Sequence, residues 1–492
     1  MNDRARRQSG RVGVVEHAPA TRGVPCFVGD SADSNRQSCV AAAPMTVVSQ
    51  DSARRSGTGL PARDLALVAL AVFVFSIPYE NGVTIPAVGS LARIIGFLAI
   101  GVVVLTLVER GRVRLQPPSV FLVAVAIYAL WALGSYFWSI APNATMTRGV
   151  TLVQLGVMVW MVHQIGSTER RRDALAQAFV FGAYAMIAVA LFTFLSGTQS
   201  GLRDVGGINP NWFAIGCAFA VPFAWGLVLR ARHSLLFWIN ALYPAFAVIA
   251  VVLSASRGGL ITLLVALTVI PLSLPRLGTT RRLLVFGLVA GISVGTFVAA
   301  PQVWTGLHTN LERLESTVDE IGGGGTLTGR TLIWEAGLDA FLASPIVGHG
   351  HATFGAAIEP IFGQGRSAHN AYLSVAVGSG LIGLGLFVGT ILVVVAGILA
   401  TPERRLEFLV IVATLLVGMM PANLEHTKSV WFVLGWLAAA RPFTLVAAGV
   451  ADRPEMVPAP RTRPAAFTHR TVGPTSGDSE PGGDELIEPR QV

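Results

Sequence analysis

The stretch that decides how the chain is read runs from Gly329 to Gly383. It comprises GRTLIWEAGLDAFLASPIVGHGHATF at residues 329–354, a short connection, and SAHNAYLSVAVGSGLIG at residues 367–383. It lies in the only long polar gap between apolar segments in the second half of the chain. It holds three of the nine histidines (His349, His351 and His369) and begins with Arg330. A helix is expected from Arg330 to Leu342, ending before Ser344-Pro345 because the residue ahead of a proline disfavours the α conformation. A short helix is expected to carry His369 to Val377, broken by Gly378-Ser379-Gly380 before the next apolar run. Upstream, Leu307, Leu311, Leu314 and Val318 recur at spacings of three and four, an amphipathic helix between Trp304 and Asp319. Gly322 to Gly325 ends it.

On both sides of this gap the chain reads as membrane. Of its 492 residues, 52% are hydrophobic and 13% charged, against roughly 25% charge in an average soluble domain. The mean hydropathy is +0.61. Apolar segments of about 20 residues recur, each long enough to cross roughly 30 Å of hydrocarbon. About twelve spans are expected, centred near residues 71, 98, 128, 156, 185, 220, 244, 266, 291, 391, 413 and 437. The fold class is therefore an all-α integral membrane protein with one large external loop between spans 9 and 10.

Arginine placement sets the orientation. Arg110, Arg112 and Arg114 follow span 2, and Arg170, Arg171 and Arg172 follow span 4. Arg230 and Arg232, then Arg276, Arg281 and Arg282, then Arg404 and Arg405 follow spans 6, 8 and 10. Every second loop is basic, which places both tails in the cytoplasm and the gap from about 301 to 368 outside. The net charge of +8 thus reads as a topology signal rather than a nucleic-acid surface. Trp138, Trp212, Trp238 and Trp431 fall near span ends, as an interfacial aromatic belt would.

Three units follow. Residues 1–60 form a disordered cytoplasmic tail without an apolar run of spanning length, residues 61–447 the membrane domain with its external segment at 301–380, and residues 448–492 a second disordered tail. Cys26 and Cys39 lie in the first tail and Cys217 in an apolar segment, so neither an external disulfide nor CxxC metal spacing is available.

Several arginines stand on the external side against the positive-inside rule: Arg93, Arg148, Arg203 and Arg257. Snorkelling to lipid phosphates accounts for any one of them. Together with Arg330 they suggest convergence on an anionic ligand. Arg257 opens span 8 in Ser256-Arg257-Gly258-Gly259, where the glycines permit close approach and the guanidinium can grip phosphate oxygens as a fork. Arg330 sits in the first turn of its helix, where the partial positive charge of the N-terminus adds to its own. His369 can titrate near neutrality and take a proton from a sugar hydroxyl, although a lone histidine is more often a hydrogen-bonded structural residue. His349 and His351 flank Gly350 in a turn and read as shaping the loop, without a third metal ligand. The absence of an Asp-x-Asp motif argues against a metal-dependent enzyme using nucleotide sugars.

These motifs, in this order, resemble those of the O-antigen ligase and O-antigen polymerase family of bacterial membrane glycosyltransferases. His369-Asn370, nine residues, then Gly380-Leu381-Ile382-Gly383 is similar to the family's His-Asn…Gly-x-x-Gly pattern. Ser256-Arg257-Gly258 is similar to its Ser-Arg-Gly. Gly329-Arg330 with Trp334 and Pro345-Ile346-Val347-Gly348-His349-Gly350 resembles its "GR…W…P-x-x-G-x-G" run, and Arg203, Gly207 and Asn209-Pro210-Asn211 its "R…G…N-P-N" loop. The resemblance covers about residues 65–445. It departs at Gly378, where many members carry glutamate.

The resemblance implies a metal-independent, inverting transfer without a cofactor, at the external face of the bacterial inner membrane. The donor would be a glycan on undecaprenyl diphosphate, and the acceptor a sugar hydroxyl on lipid A-core or on a second lipid-linked glycan. His369 would activate the hydroxyl, and Arg257 and Arg330 would hold the diphosphate. Arg203, Asn211, Asn370, Arg148 and Arg93 are substrate-binding candidates. The competing class is a transporter or flippase of lipid-linked glycans, which twelve spans also suit. The orientation is checked by labelling intact spheroplasts with an impermeant maleimide. A Ser316→Cys variant is expected to react from outside, and Cys26 and Cys39 only after permeabilisation.

Overall fold

The computed structural model describes residues 62–80, 91–108, 115–195, 208–231, 234–285, 330–400 and 402–440, with residues 84–85 and 89–90 and isolated positions between 287 and 312. Arg203, both tails, the ninth expected span and the amphipathic helix expected at 304–319 lie outside the described residues.

Apolar runs without internal charge become helices almost as spaced in the sequence. They are α1 (Ala62–Ser76), α2 (Leu91–Val108), α3 (Val120–Gly134), α4 (Pro142–Ile165), α5 (Glu169–Leu195), α6 (Pro210–Arg230), α7 (Ser234–Ser254), α8 (Arg257–Leu267) and its short continuation α9 (Val269–Ser273). Further along the chain come α10 (Arg330–Ala343), α11 (Phe354–Phe362), α12 (Ala371–Leu399), α13 (Arg405–Gly418) and α14 (Lys428–Ala440). A two-residue antiparallel ladder, β1 (Thr84–Ile85) with β2 (Gly89–Ser90), connects α1 to α2. Each expected span centre except the one near 291 falls inside one of these helices. Among the described residues, eight helical segments are long and apolar enough to cross a membrane, and α1 and α14 are shorter apolar helices. The protein is thus an all-α, multi-pass membrane protein.

α6 is the centre of the bundle. Its most apolar window is 89% buried, whereas that of α2 is 22% buried. Its sequence explains this: Ala214, Gly216, Cys217, Ala218, Ala220 and Ala224 are small, which lets α7 and α8 approach closely. α6 also separates two chemically different ends. Its C-terminal Arg230 joins Asp173 at 3.0 Å and the buried Glu407 at 3.1 Å, and Arg404 reaches Glu407 at 2.8 Å and Glu169 at 3.1 Å. Its N-terminal Asn211 lies at the opposite end, beside the start of α8.

At that opposite end, α10 and α11 pack against the first turns of α12 through a small separate core of Ala336, Ala340, Phe354, Ile358, Ala368 and Val377. α10 matches the expected helix, and α11 was not expected. α12 differs from expectation at its start. His369 and Asn370 precede the helix, where Asn370 Oδ1 caps it by accepting from the Tyr372 and Leu373 amides and His369 stands at φ +46°. The break expected at Gly378-Ser379-Gly380 is present as a kink at Gly380 (φ 65°, ψ −170°), after which the helix resumes. This backbone is open essentially to glycine alone, and a Cβ here would collide with the Ile346 carbonyl. Gly380→Ala is therefore expected to lower the thermal unfolding midpoint. Gly385→Ala, in the same helix with open space around it, is expected to leave the midpoint unchanged.

Candidate functional site

Two helix starts and two loops build the site. The first element is the start of α8. Ser256 caps it, accepting from the Gly259 amide at 3.0 Å and donating to Asn211 Oδ1 at 2.6 Å. An N-cap of this kind contributes about 1 kcal/mol. Here it also joins the Asn-Pro-Asn loop to the Ser-Arg-Gly motif and aims Arg257. Gly258 lies against the Pro421 ring, where a Cβ would stand 2.5 Å from Pro421 Cβ.

The second element is α10, which carries Arg330 at its first residue. Trp334, one turn on, donates its indole N–H to the Ala368 carbonyl at 2.8 Å. That bond ties α10 to the residue before His369, the third element. Arg257, Arg330 and His369 are thereby brought together: Arg330 feels the charge of Arg257, and His369 feels that of Arg330. Burial lowers the pKa of Arg330, and the neighbouring Arg257 guanidinium lowers it further. Burial and Arg330 likewise hold the His369 imidazole below its ordinary value. Among the described residues no carboxylate pairs with Arg330 or His369. The arrangement is a partly buried cationic pocket with a neutral imidazole at its edge, which suits an anion and a proton acceptor side by side.

The remaining candidates take other places. Asn211 and Asn370 are engaged as the Ser256 partner and the α12 cap, so both shape the site's backbone. Arg148 lies instead near His351, Glu425 and His426, whose protonation it influences. Arg93 borders a separate apolar groove with Phe73, Phe97 and Met158. His349 shapes its loop as expected, its Nε2 lying 2.7 Å from the Ala340 carbonyl. At Gly378, a Cβ would stand 3.0 Å from the Gly350 carbonyl and 3.1 Å from the Ala352 nitrogen, so a side chain there would press on the 350–352 backbone.

Sequence reading missed the fourth element, the loop of residues 419–427 between α13 and α14. It touches each of the others: Pro421 against Gly258, Asn423 with Ser367 at 3.2 Å, and the Met419 carbonyl with the Ala371 amide at 3.0 Å. The available signal was a short polar run, PANLEHTK at residues 421–428, holding a glutamate, a histidine and a lysine between two apolar segments.

A helical bundle with several membrane spans that brings Arg257, Arg330 and His369 together at one end defines a multi-pass membrane protein with a cationic site. Residues 242–388 match a family model described as O-Antigen ligase. The chain is 25% identical over 276 residues to an exopolysaccharide production protein, ExoQ, of Rhizobium meliloti (strain 1021), an alignment covering 52% of this chain and 60% of the relative. The chain thus spans about three-fifths of the length of that relative. The likeness read from the motifs is met by these comparisons: the segment similar to the O-antigen ligase family includes Arg257, Arg330 and His369.

Proposed function

We propose that the protein is a glycosyltransferase of surface-polysaccharide synthesis that moves or polymerises a glycan carried on undecaprenyl diphosphate at the external face of the inner membrane, with both tails in the cytoplasm. The observation that carries this reading is the meeting of Arg257, Arg330 and His369. The segment 301–380 and the 419–427 loop together form the external reaction end.

In this mechanism the diphosphate of the donor lies on Arg257 and Arg330, and the sugar C1 faces His369. The neutral imidazole accepts the proton of the acceptor hydroxyl as its oxygen forms the new bond to C1. The bond from C1 to the phosphate oxygen breaks on the opposite side, inverting the anomeric centre. Undecaprenyl diphosphate departs with the bonding electron pair, and its developing charge is stabilised by the two guanidiniums. A buried arginine held beside another cation gains most when such charge appears, because desolvation strengthens the attraction. The arginines thereby take the place of a metal ion. The acceptor is a second lipid-linked glycan or a lipid A-core sugar.

Transfer from purified lipid-linked glycan tests the reading. Arg257→Ala and Arg330→Ala are each expected to lose on the order of 10²–10³-fold in kcat, with normal amounts of protein in the membrane. His369→Ala is expected to lose on the order of 10²–10⁴-fold. Near-wild-type transfer in any of the three would count against the mechanism.

The pH dependence follows from the same charges. A general base must be unprotonated, so kcat/KM falls as pH drops through the free-enzyme pKa of His369. That pKa lies below the ordinary imidazole value, partly because of Arg330. Removing the guanidinium raises it, so in Arg330→Gln the acid limb is expected to move to higher pH. A limb that stays in place would separate His369 from the proton transfer.

A further inference from the structure

Beside the cationic pocket lies a buried polar chain that the mechanism does not use. His351 Nε2 and His426 Nε2 are 2.8 Å apart, and His351 Nδ1 lies 2.9 Å from Ser379 Oγ. His426 Nδ1 faces Glu425 Oε1 at 3.6 Å, and that oxygen accepts from Ser374 Oγ at 2.7 Å. The indole of Trp431 donates to the Glu425 carbonyl at 2.8 Å. Around the chain stand Tyr128 from α3, in edge contact with His351, and Arg148 from α4. Both imidazoles are buried, and burial with Arg148 holds His351 at about 4, so it is neutral at ordinary pH. Burial and the neighbouring His351 hold His426 well below the ordinary imidazole value.

Two neutral imidazoles meeting through their Nε2 atoms can satisfy each other in one way only: one donates and the other accepts. The bond therefore joins two loops at a fixed register. His351 belongs to the loop of residues 344–353, which is hydrogen-bonded into the α12 break. His426 belongs to the 419–427 loop, on which Gly258, Ser367 and Ala371 all rest. Arg257 adjoins the first of these contacts, and His369 lies between the other two. Slippage of the 419–427 loop would change the distance between the guanidinium and the imidazole directly.

We infer that His426, bonded to His351 and flanked by Glu425, is a positioning residue of the transfer site: it clamps the 419–427 loop so that Arg257 and His369 face one substrate. The inference rests on the transfer reading above. It assigns to the clamp no contact with substrate and no proton from the reaction.

The test uses the full-length protein in nanodiscs and three variants. His426→Gln keeps a side-chain amide that can bond to the His351 ring. His426→Leu keeps bulk without a polar group and leaves the buried His351 Nε2 unpaired. His426→Asn carries an amide too short to reach. His426→Gln is expected to stay within about threefold of wild-type kcat, the scale of one ordinary hydrogen bond. His426→Leu is expected to fall by about a hundredfold in kcat, the scale of a 1 Å misplacement. Should His426→Leu fail to reach the membrane, His426→Asn takes its place with the same expected loss.

A second readout does not depend on activity. Ser367→Cys with Asn423→Cys, in a background lacking the three native cysteines, reports the spacing of the two loops through the yield of disulfide. The yield is expected to hold in His426→Gln and fall in His426→Leu or His426→Asn. Equal kcat and equal yield in all variants, or a His426→Gln variant as impaired as the leucine, would overturn the clamp. Absence of transfer by the wild type would remove the proposed reaction, and the disulfide yields would still decide whether the clamp exists.

Discussion

The arrangement depends on how a membrane-embedded helix survives being broken. At Gly378-Ser379-Gly380, α12 leaves helical geometry, and the backbone groups released there have little water to turn to. In such surroundings an unpaired amide or carbonyl is costly, and irregular backbone persists only where protein satisfies it. The segment from Pro345 to His349 does so. The His349 amide donates to the Val377 carbonyl at 3.1 Å, while Leu381 and Ile382 donate to the carbonyls of Pro345 and Ile346 at 2.8 and 3.3 Å. The Trp131 indole takes the Ser379 carbonyl at 3.2 Å. Two motifs far apart in sequence are thus halves of one structure, and neither conformation is stable without the other.

This mutual repair has a consequence for the pocket. It fixes the start of α12, and hence Asn370 and His369, relative to α10, because α10 runs directly into the segment that fills the break. Trp334 adds a second tie at Ala368. Arg330 and His369 are then held from both ends of one short unit, residues 330–370, while Arg257 comes from the span bundle. The 419–427 loop is the seam between the two, touching α8 on one side and the residues around His369 on the other.

The spans were legible because an apolar run of membrane length has few alternatives, and the end of α10 followed from Pro345. The grouping of Arg257, Arg330 and His369 was legible only through motif order, since each lies dozens of residues from the next. Two things were not legible. The roles of Asn211, which accepts from the Ser256 hydroxyl, and of Asn370, which caps α12, depend on which group each side chain meets, and a polar residue at a loop reads equally well as a ligand. The pairing of His351 with His426 spans 75 residues and leaves no local pattern, so each histidine looked isolated. Gly378 marks the opposite case. A missing carboxylate reads as a lost function in sequence, whereas in the fold Gly378 is the residue against which the Gly350 carbonyl and the Ala352 amide pack closely.

The electrostatics of the pocket also bear on the order of events in the proposed reaction. In the free protein Arg330 disfavours a proton on His369, so the imidazole waits as a base. A diphosphate bound on Arg257 and Arg330 would neutralise much of the charge that holds the pKa down, and its own negative charge would favour the imidazolium. Donor binding would then increase the proton affinity of the base at the moment an acceptor hydroxyl must be deprotonated. Without donor, the same imidazole is a weak base, and an acceptor hydroxyl meeting it is not activated. The pair of arginines would thus serve leaving-group stabilisation and base strength through one charge, which requires them to lie close to His369 rather than anywhere along the lipid.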